Sequence, residues 1–422
     1  MRVQLDYGRT GLWVELPSSQ ARLLAYQQME PLPDAELALD QLLDTPTGTP
    51  ALDQLATHCK TACIAICDIT RPVPNQLILS ALLRRLERSG IQRENILILV
   101  ATGLHRPNNR DELIEMVGED IVNRYRIENH DGQNRDQHRY LGQSPRDVPI
   151  WIDSRYLDAD FKITTGLIEP HLMAGFSGGR KVICPGLAGI DTVRVWHGPN
   201  ILDHPRADCG NLDGNPVHEE NTWIARRAGC DFIVNAVIDA ERRPLKLVAG
   251  DMEQAFAEGV SFVRDVVSAT VPEPVDIVVT SSAGYPLDTT FYQSVKGLTA
   301  ALPIIKEGGT IILAASMTEG IGSQEFAQLF QKHPTVEDFL QQLFEPDYFS
   351  LDQWQLQKLA QVLAKARVEI VTDGLSSDTI NSLFVRSVPS VEEAINLAFD
   401  RYGPQASLAV IPKGPYVLTS VA

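Results

Sequence analysis

Apolar runs and amphipathic stretches alternate along the chain from about residue 60 onward. The apolar runs predict strands at 62–67, 95–101, 161–168, 232–238, 275–281, 310–315, 368–371 and 408–411. The stretches with helical spacing predict helices at 75–89, 217–229, 252–268, 323–332, 352–366 and 391–402. Before residue 55 the pattern predicts only a short strand pair, 2–7 and 12–16. Regular alternation of this kind predicts an α/β fold with largely parallel sheets.

Two prolines mark the best domain boundary. Pro272 and Pro274 flank a glutamate between a long predicted helix and a new predicted strand. A chain of 422 residues is also too long for one ordinary hydrophobic core. We therefore expect two domains, residues 1–271 and 272–403, with the segment 404–422 and its last strand as a candidate to rejoin the first domain.

Composition and charge narrow the class of protein. The net charge of −17 argues against a general binder of nucleic acid or of anionic membranes, because either needs a basic surface. The first residues lack a basic-then-apolar leader, and no apolar run is long enough to span a bilayer. We therefore expect a cytoplasmic protein whose six cysteines are reduced. No CxxC pair occurs, which disfavours a structural zinc site.

Polar motifs follow four of the predicted strands. They are DITRP at 68–72, TGLHRP at 102–107, EPH at 169–171 and SAGYP at 282–286. Ligands of open α/β sheets bind outside the carboxyl ends of the strands. The four motifs therefore predict one ligand site, in a cleft between the two domains.

Two histidines of these motifs are candidate acid–base groups. A single loop histidine is more often solvated or simply hydrogen-bonded, but His105 and His171 both stand at predicted strand ends beside glycine and proline. A reaction on both faces of one carbon needs a proton-transferring group on each side. We expect each histidine to act as base for one enantiomer and as acid for the other.

A glycine-rich loop leads to Arg180 and Lys181. Its spacing is not that of a Walker A loop, because Val182 stands where Ser or Thr is required, and the GxGxxG dinucleotide fingerprint is also lacking. One interpretation is a turn with a charged edge. The other is a nucleophilic or cofactor-attaching Lys181 beside an anion-binding loop.

Further candidates lie outside these loops. His197 follows a short predicted helix whose N-cap is Asp191. The sequence has no second metal ligand at a suitable spacing from His197, so a metal bound there would need most of its ligands from outside the protein. Arg71 is suited to bidentate binding of a carboxylate. Gln293 and Lys296, at i and i+3, share a helix face that is either solvated or functional. For Trp354, the simplest expectation is a half-buried side chain that packs on a helix.

Six motifs in one order resemble those of the lactate racemase family, whose members use a nickel-pincer nucleotide cofactor. The resemblance extends over most of the chain. The motifs are DITRP at 68–72, TGLH at 102–105, EPH at 169–171 continuing to GGRK at 178–181, HGPN at 197–200, YQSVKG at 292–297 and DQW at 352–354. The resemblance implies a racemase or epimerase of a 2-hydroxy carboxylic acid.

The resemblance also implies a cofactor site. Lys181 would carry the pyridinium-3-thioamide-5-thiocarboxylic acid mononucleotide through a thioamide link. His197 would complete the square-planar coordination of Ni(II), a geometry that suits this ion. The other residues implied in cofactor binding are Asp68, Ser177, Gly178, Gly179, Arg180 and Asn200.

For the substrate, the resemblance implies hydride transfer. One of His105 and His171 would take the hydroxyl proton while the α-hydride moves to the cofactor, and the resulting 2-oxo acid would reorient and be reduced on its other face. The implied partners are this small molecule and the enzymes that build the cofactor. The choice of 2-hydroxy acid stays open, as does the oligomeric state. The residues implied in substrate binding are Arg71, Tyr292, Gln293, Lys296 and Trp354.

Two other functions stay open from the residues alone. One is a lysine- or metal-dependent lyase or hydrolase that uses Lys181 and the histidines without a nickel pincer. The other is a binding module whose glycine loop holds a nucleotide phosphate. Each accounts for one motif, and neither accounts for all of them together.

Overall fold

The structure is a computed structural model that describes residues 1–17, 21–239, 241–345 and 348–422. The chain forms two compact units. The central unit is Gln28–Val266, and the terminal unit combines Met1–Gln27 with Val267–Ala422. Within the described ranges, none of the helices has the length and apolar character that crossing a membrane requires.

Strands and helices follow one another in the order expected of an α/β protein. The strands are β1 (Arg2–Leu5), β2 (Leu12–Glu15), β3 (Ala21–Leu23), β4 (Ala62–Cys67), β5 (Ile96–Ala101), β6 (Arg126–Asn129), β7 (His138–Gln143), β8 (Pro149–Asp153), β9 (Phe161–Leu167), β10 (Pro170–His171), β11 (Gly175–Phe176), β12 (Phe232–Ile238), β13 (Pro244–Gly250), β14 (Ser268–Val271), β15 (Val275–Ser281), β16 (Ile305–Ala314), β17 (Ala366–Val371), β18 (Arg386–Ser387), β19 (Leu408–Ile411) and β20 (Leu418–Val421). The helices are α1 (Ala35–Asp44), α2 (Leu52–Ala56), α3 (Asn75–Arg88), α4 (Arg110–Val117), α5 (Glu119–Arg124), α6 (Ser154–Leu157), α7 (Ile190–Trp196), α8 (Pro199–Leu202), α9 (Pro216–Ala228), α10 (Gln254–Val267), α11 (Phe291–Thr299), α12 (Gln324–Lys332), α13 (Val336–Leu343), α14 (Gln353–Lys365), α15 (Ser377–Asn381) and α16 (Val391–Tyr402). Short 3-10 helices lie at Arg93–Asn95, Arg135–Gln137, Gly179–Val182 and Gly414–Tyr416.

The central unit is built on a sheet with the strand order β13-β12-β9-β4-β5-β6. All neighbouring strands are parallel except β12 and β13. In β4 the residues Cys63, Ile64, Ala65 and Ile66 are all fully buried, so both faces of this strand are covered. Burial on both faces explains why its sequence is continuously apolar rather than alternating. The strand predicted at 62–67 is confirmed, and the buried Cys63 lies within it.

The terminal unit has its own parallel sheet, in the order β18-β17-β16-β15-β19-β3. Helices α11 and α14 cover one face of this sheet, where Phe291, Val295 and Leu359 are buried. The other face is covered by α16 and by the antiparallel hairpin β1–β2. The expectation of an α/β fold with largely parallel sheets is confirmed in both units.

The first 27 residues and strand β19 do not belong to the domain that the sequence predicted for them. The expected division was at 1–271 and 272–403, but both segments lie in the terminal unit. Val3, Leu5, Val14 and Leu16 of the hairpin pack against the terminal sheet, and β3 adds an edge strand to it. The proposed return of 408–411 to the first domain is wrong, because β19 pairs with β15 on one side and β3 on the other. All four β19 residues are buried, which an edge position would not provide.

The carboxyl ends of β9, β4 and β5 are neighbours along one edge of the central sheet. The DITRP motif follows β4, the TGLH motif follows β5, and the EPH motif follows β9. The sequence correctly predicted that these three motifs follow strands. The sheet order brings them side by side.

Candidate active site

His105 and Asp68 form a hydrogen-bonded pair across the ends of β5 and β4. The Nδ1 atom of His105 lies 2.7 Å from Oδ2 of Asp68. The other carboxylate oxygen of Asp68 accepts from the backbone and hydroxyl of Thr70, at 3.2 and 2.5 Å. Burial raises the pKa of Asp68, but the hydrogen bonds from His105 and Thr70 and the charge of Arg71 outweigh it, so the pKa lies below its usual value. The Asp68 carboxylate is therefore ionised and oriented by both neighbours.

Arg71 and Glu169 link the ends of β4 and β9. The Nη1 atom of Arg71 donates to Oε1 of Glu169 in a partly buried ion pair. Burial raises the pKa of the nearby Cys67 thiol to about 12, and the charges of Arg71, Asp68 and Glu169 also act on it. Arg71 was predicted as a carboxylate-binding group, and in the structure Glu169 orients its guanidinium.

His171 sits in a tight turn between β10 and β11. Its Nδ1 atom accepts from the backbone amides of Met173 and Ala174, both at 3.2 Å. The antiparallel pairing of His171 with Gly175 closes this turn. The ring is partly exposed, whereas Leu172 to Phe176 are buried. The imidazole is thus fixed by main-chain donors rather than by a carboxylate.

The glycine-rich loop is folded onto its own neighbours. Gly178 has a φ of +89°, and a Cβ atom there would lie 2.6 Å from the side-chain oxygen of Asn235. That oxygen accepts from the amide of Gly179 at 2.7 Å. The amide of Ser177 donates to the carbonyl of Glu169, and the Ser177 hydroxyl donates to the carbonyl of Leu167. The amides of Ser177 and Gly179, two of the residues implied in cofactor binding, therefore donate within the chain.

The side chain of Arg180 is buried and stabilises the loop from inside. Its guanidinium donates to the carbonyls of Gly178, Ala174 and Phe176 and lies 4.1 Å from the centre of the Phe256 ring. Burial lowers the pKa of Arg180 to about 9, so the group is still a cation at neutral pH. A role for Arg180 in cofactor binding therefore falls to its backbone or its charge.

Lys181 and His197 lie beside the same indole ring. The Nζ atom of Lys181 is 5.2 Å from the centre of the Trp196 ring, and the rings of Trp196 and His197 are 4.2 Å apart. Burial and the charge of Lys181 lower the pKa of His197 well below its usual value. His197 follows α7 as predicted, although the N-cap of α7 is Gly189 and not Asp191, which lies in the first turn.

Several buried polar atoms near this loop have no hydrogen-bond partner among the described residues. Helix α9 packs against the 3-10 helix that contains Lys181, and Glu220 of α9 and Lys181 both act on the buried Cys184 thiol. Most buried polar atoms in folded proteins have a partner, so such a group fits a polar ligand like a nucleotide. The atoms are Nε of Arg180, Nε1 of Trp196, Nδ1 of His218, Oε2 of Glu220, both amide atoms of Asn221 and Nδ2 of Asn235.

A metal at His197 would have few ligands from the protein. In the parts of the chain that the structure describes, no three His, Cys, Asp or Glu side chains come together as a metal site. A neutral imidazole is the form that binds metal, and the lowered pKa of His197 favours that form. The donor set therefore fits a metal that arrives with most of its own ligands.

The predicted substrate residues of the terminal unit form two hydrogen-bonded pairs. Thr290 caps α11 by accepting from the amide of Gln293 at 3.2 Å. The Nζ atom of Lys296 donates to the side-chain oxygen of Gln293 at 2.5 Å. Trp354 of α14 donates from its indole to the hydroxyl of Tyr292 at 3.0 Å. The sharing of one helix face by Gln293 and Lys296 is confirmed.

The contact predicted for Asn200 stays a prediction, and two residues with orienting roles were missed at the level of sequence. Asn200 is exposed on α8, and the described hydrogen bonds do not join it to the glycine loop. The orienting roles of Glu169 and Asn235 were missed. Asn235 carried a usable signal, because a polar residue in the apolar run FIVNAVI is fully buried and must have a partner.

The sequence and the fold match known proteins over nearly their whole length. Models of the lactate racemase N-terminal and C-terminal domains match residues 7–210 and 270–419. A lactate racemase of Thermoanaerobacterium thermosaccharolyticum is 32% identical over 421 residues, covering 99% of this chain and 98% of that protein. One of Lactiplantibacillus plantarum is 37% identical over 378 residues, covering 89% of each.

Solved structures give the same result. The lactate racemase apoprotein from Thermoanaerobacterium thermosaccharolyticum superimposes with a TM-score of 0.94 at 33% identity, covering 99% of this chain and 100% of that one. A Thermotoga maritima protein matches with a TM-score of 0.70 at 18% identity, covering 94% of this chain and 100% of that one, which concerns the fold alone. On these matches and the motifs they contain, the chain belongs to the lactate racemase family.

Proposed function

We propose that this protein racemises or epimerises a 2-hydroxy carboxylic acid, with lactate as the first substrate to test. Its family is one of isomerases, and relatives that match it over 89–99% of its length are named lactate racemases. One structural observation supports the proposed chemistry. Asp68 orients His105 and Glu169 orients Arg71 on the strand ends that also bear His171. An enzyme that racemises a 2-hydroxy acid needs an acid–base group for the hydroxyl proton and a cation that binds the carboxylate.

We further propose that the glycine-loop region holds a nickel-pincer nucleotide. Lys181 is the proposed attachment point, and His197 is the proposed protein ligand of Ni(II). The closeness of both side chains to Trp196 and the lowered pKa of His197 support this assignment. When bound, the cofactor would accept and return the hydride of the substrate's C2. Further proposed contacts are Asp68, Asn200 and the backbone from Ser177 to Arg180.

The chain's own residues would handle the proton and the carboxylate. His105 accepts the hydroxyl proton at Nε2, and the Asp68 carboxylate stabilises the imidazolium that forms. Arg71 binds the substrate carboxylate, with Glu169 fixing the plane of its guanidinium. His171 is the second catalytic histidine. The substrate contacts proposed in the terminal unit are Tyr292, Gln293, Lys296 and Trp354.

A lyase or hydrolase that uses Lys181 without nickel is the competing function. Lys181, partly buried beside the Trp196 ring, is the candidate nucleophile for that function. That function gives no role to His197 as a metal ligand. Nickel content therefore separates the two functions.

The test is production of the protein together with cofactor-building enzymes, followed by nickel analysis, intact mass and polarimetry. We expect about one nickel per chain, a mass increase located at Lys181, and loss of optical rotation from either enantiomer of lactate. Longer aliphatic 2-hydroxy acids, malate and a sugar acid complete the panel, because the substrate's side group is not assigned. Absence of both nickel and added mass, with racemisation of none of the acids, would contradict the proposal.

A further inference from the structure

Tyr292, one of the proposed substrate contacts, is held by three side chains from the start of helix α14. The indole Nε1 of Trp354 donates to the Tyr292 hydroxyl at 3.0 Å. The side-chain amide of Gln355, which is only 2% exposed, donates to the Tyr292 carbonyl at 2.7 Å. The carboxylate of Asp352 is hydrogen-bonded to the same hydroxyl as the indole. One turn of α14 therefore fixes both the main chain and the hydroxyl of Tyr292.

Asp352 stands at the N-cap of α14, but its side chain does not cap the helix. An aspartate at an N-cap usually has an extended backbone and accepts from the first amides of its own helix. Here the backbone is left-handed, with a φ of +65°, a conformation that aspartate tolerates but that still costs free energy. The Oδ2 atom of Asp352 accepts from the hydroxyl of Ser323 at 2.6 Å. The side chain of Asp352 is thus directed at distant parts of the terminal unit.

The hydrogen bonds around Asp352 run in one direction, toward its carboxylate. The hydroxyl oxygen of Ser323 accepts from the amide of Phe326, and its proton goes to Asp352. The Trp354 indole can only donate, so the Tyr292 oxygen is the acceptor of that bond. Burial and the charge of Asp352 raise the pKa of Tyr292, so its hydroxyl keeps the proton that a carboxylate can accept. Asp352 is therefore the acceptor at which two series of donors meet.

The loop before α12 holds the same tyrosine. The amide of Tyr292 donates to the carbonyl of Ile321 at 2.9 Å. Its ring meets the ring of Phe326 edge to face, with the ring centres 5.1 Å apart. Ser323 ends this loop, so its hydrogen bond to Asp352 joins the loop to the start of α14. Tyr292 is held by both of the segments that Asp352 connects.

We infer that Asp352 is a positioning residue for substrate binding, which acts through the Tyr292 hydroxyl and thereby fixes the place of the Trp354 indole. Tyr292 and Trp354 are both proposed substrate contacts, so this inference rests on the proposed function. It gives a role to the first residue of the DQW motif at 352–354, and it explains why an N-cap aspartate is directed away from its own helix.

The kinetic test is a double-mutant cycle in the nickel-loaded full chain, with an acid that the wild-type protein racemises. Asparagine matches aspartate in size and tolerates the left-handed backbone, so Asp352→Asn changes mainly the charge and one acceptor. We expect it to raise KM about three- to tenfold and to change kcat by less than about threefold, as for one lost hydrogen bond that orients a binding residue. In a Tyr292→Phe background, where the hydroxyl is absent, Asp352→Asn should have no further effect on KM.

Asp338→Asn is the matched control. Asp338 lies in the first turn of α13 in the same unit, and its Oδ2 atom also accepts from a helix-capping hydroxyl, that of Thr335, at 2.8 Å. This hydrogen bond joins neighbours within one turn and involves neither Tyr292 nor Trp354. We expect wild-type KM and kcat in Asp338→Asn.

A second measurement reads the positioning without activity. The chain has five tryptophans, so the ¹⁵N-labelled full chain without cofactor should give five indole signals. The signal of Trp354 is the one that Trp354→Phe removes. We expect this signal to move in Tyr292→Phe, which deletes its acceptor, and to move in Asp352→Asn, which releases that acceptor. Asp338→Asn should leave all five signals in place.

The inference is overturned if the Trp354 signal stays in place in Asp352→Asn. It is also overturned if Asp352→Asn raises KM as much in the Tyr292→Phe background as in the wild-type protein. Asp352→Gly, in which a left-handed backbone is unstrained, repeats both measurements if the asparagine variant does not fold. If the wild-type protein racemises nothing, the proposed function fails, while the indole signals still decide whether Asp352 positions Trp354.

Discussion

Two regions of the central unit differ in how far their polar groups are satisfied. One region is the strand-end rim, in which each side chain takes part in an ion pair or a hydrogen bond. The rim comprises Asp68, Arg71, His105, Glu169 and His171. The loop region comprises the glycine-rich loop and the side chains of α7, α9 and β12 that surround it, and it contains several buried polar atoms without a partner among the described residues. The rim is thus arranged before any ligand binds, whereas the loop region is completed only by a polar ligand.

The two regions therefore contribute differently to the free energy of unfolding. A preformed hydrogen-bond network stabilises the fold and positions catalytic groups, so its loss affects rate. An unsatisfied buried polar atom costs about 1–3 kcal/mol, so the loop region reduces stability until its ligand binds. Variants of the two regions should therefore separate activity from stability and cofactor content.

The largest effect is expected at the loop region's attachment point. We expect Lys181→Ala to lose the cofactor entirely, with no nickel, no added mass and no racemisation, because the alanine side chain has no amine for the attachment. Lys246→Ala is the matched control, since Lys246 forms a partly exposed ion pair with Glu258 in the same unit at 2.8 Å. Intact mass and nickel analysis check both variants. Wild-type nickel content in Lys181→Ala would contradict the assignment.

The second effect tests the rim. We expect Asp68→Asn to lower kcat/KM by about 10²- to 10⁴-fold at normal nickel content, because the amide no longer fixes the His105 tautomer or stabilises its imidazolium. Thermal stability should fall as well, because the replaced carboxylate is only 8% exposed, so kcat/KM is compared on folded, nickel-loaded protein.

A second aspartate–histidine pair provides the control for that prediction. Asp153 and His130 lie 3.0 Å apart with both side chains fully buried, and Arg155 also binds Asp153. We expect Asp153→Asn to lower the melting temperature while the kcat/KM of loaded enzyme stays at the wild-type value. Equal losses of kcat/KM in both variants would mean that Asp68 acts only through the fold.

The smallest effect sharpens the account of the loop region. Asn221 is fully buried with neither amide atom partnered among the described residues, so we expect Asn221→Leu to stabilise the unloaded protein by about 1–3 kcal/mol and to lower nickel content. Asn215 of the same helix is also fully buried, but its side chain caps the helix and donates to two carbonyls. Asn215→Leu should therefore destabilise the protein. Denaturant melts of both variants measure the sign, and a loss of stability in both would contradict the comparison.

Most of the fold was predictable because it depends on local periodicity. Strands 62–67, 232–238, 275–281 and 408–411 have the predicted bounds, and the predicted helix 391–402 is α16. The sequence pattern did not predict helices α1 and α2. Hairpin β1–β2 was predicted with nearly correct bounds, but its place in the terminal unit depends on packing against residues between Ile277 and Val410, far away in the chain.

The sequence by itself determined the two parallel sheets, the motifs at the strand ends and the family, because each of these is a property of residues close together in the chain. The tertiary structure decided which motif side chains meet. His105 and Asp68 are separated by 37 positions, and Arg71 and Glu169 by 98, so their pairing depends on β4 lying between β5 and β9.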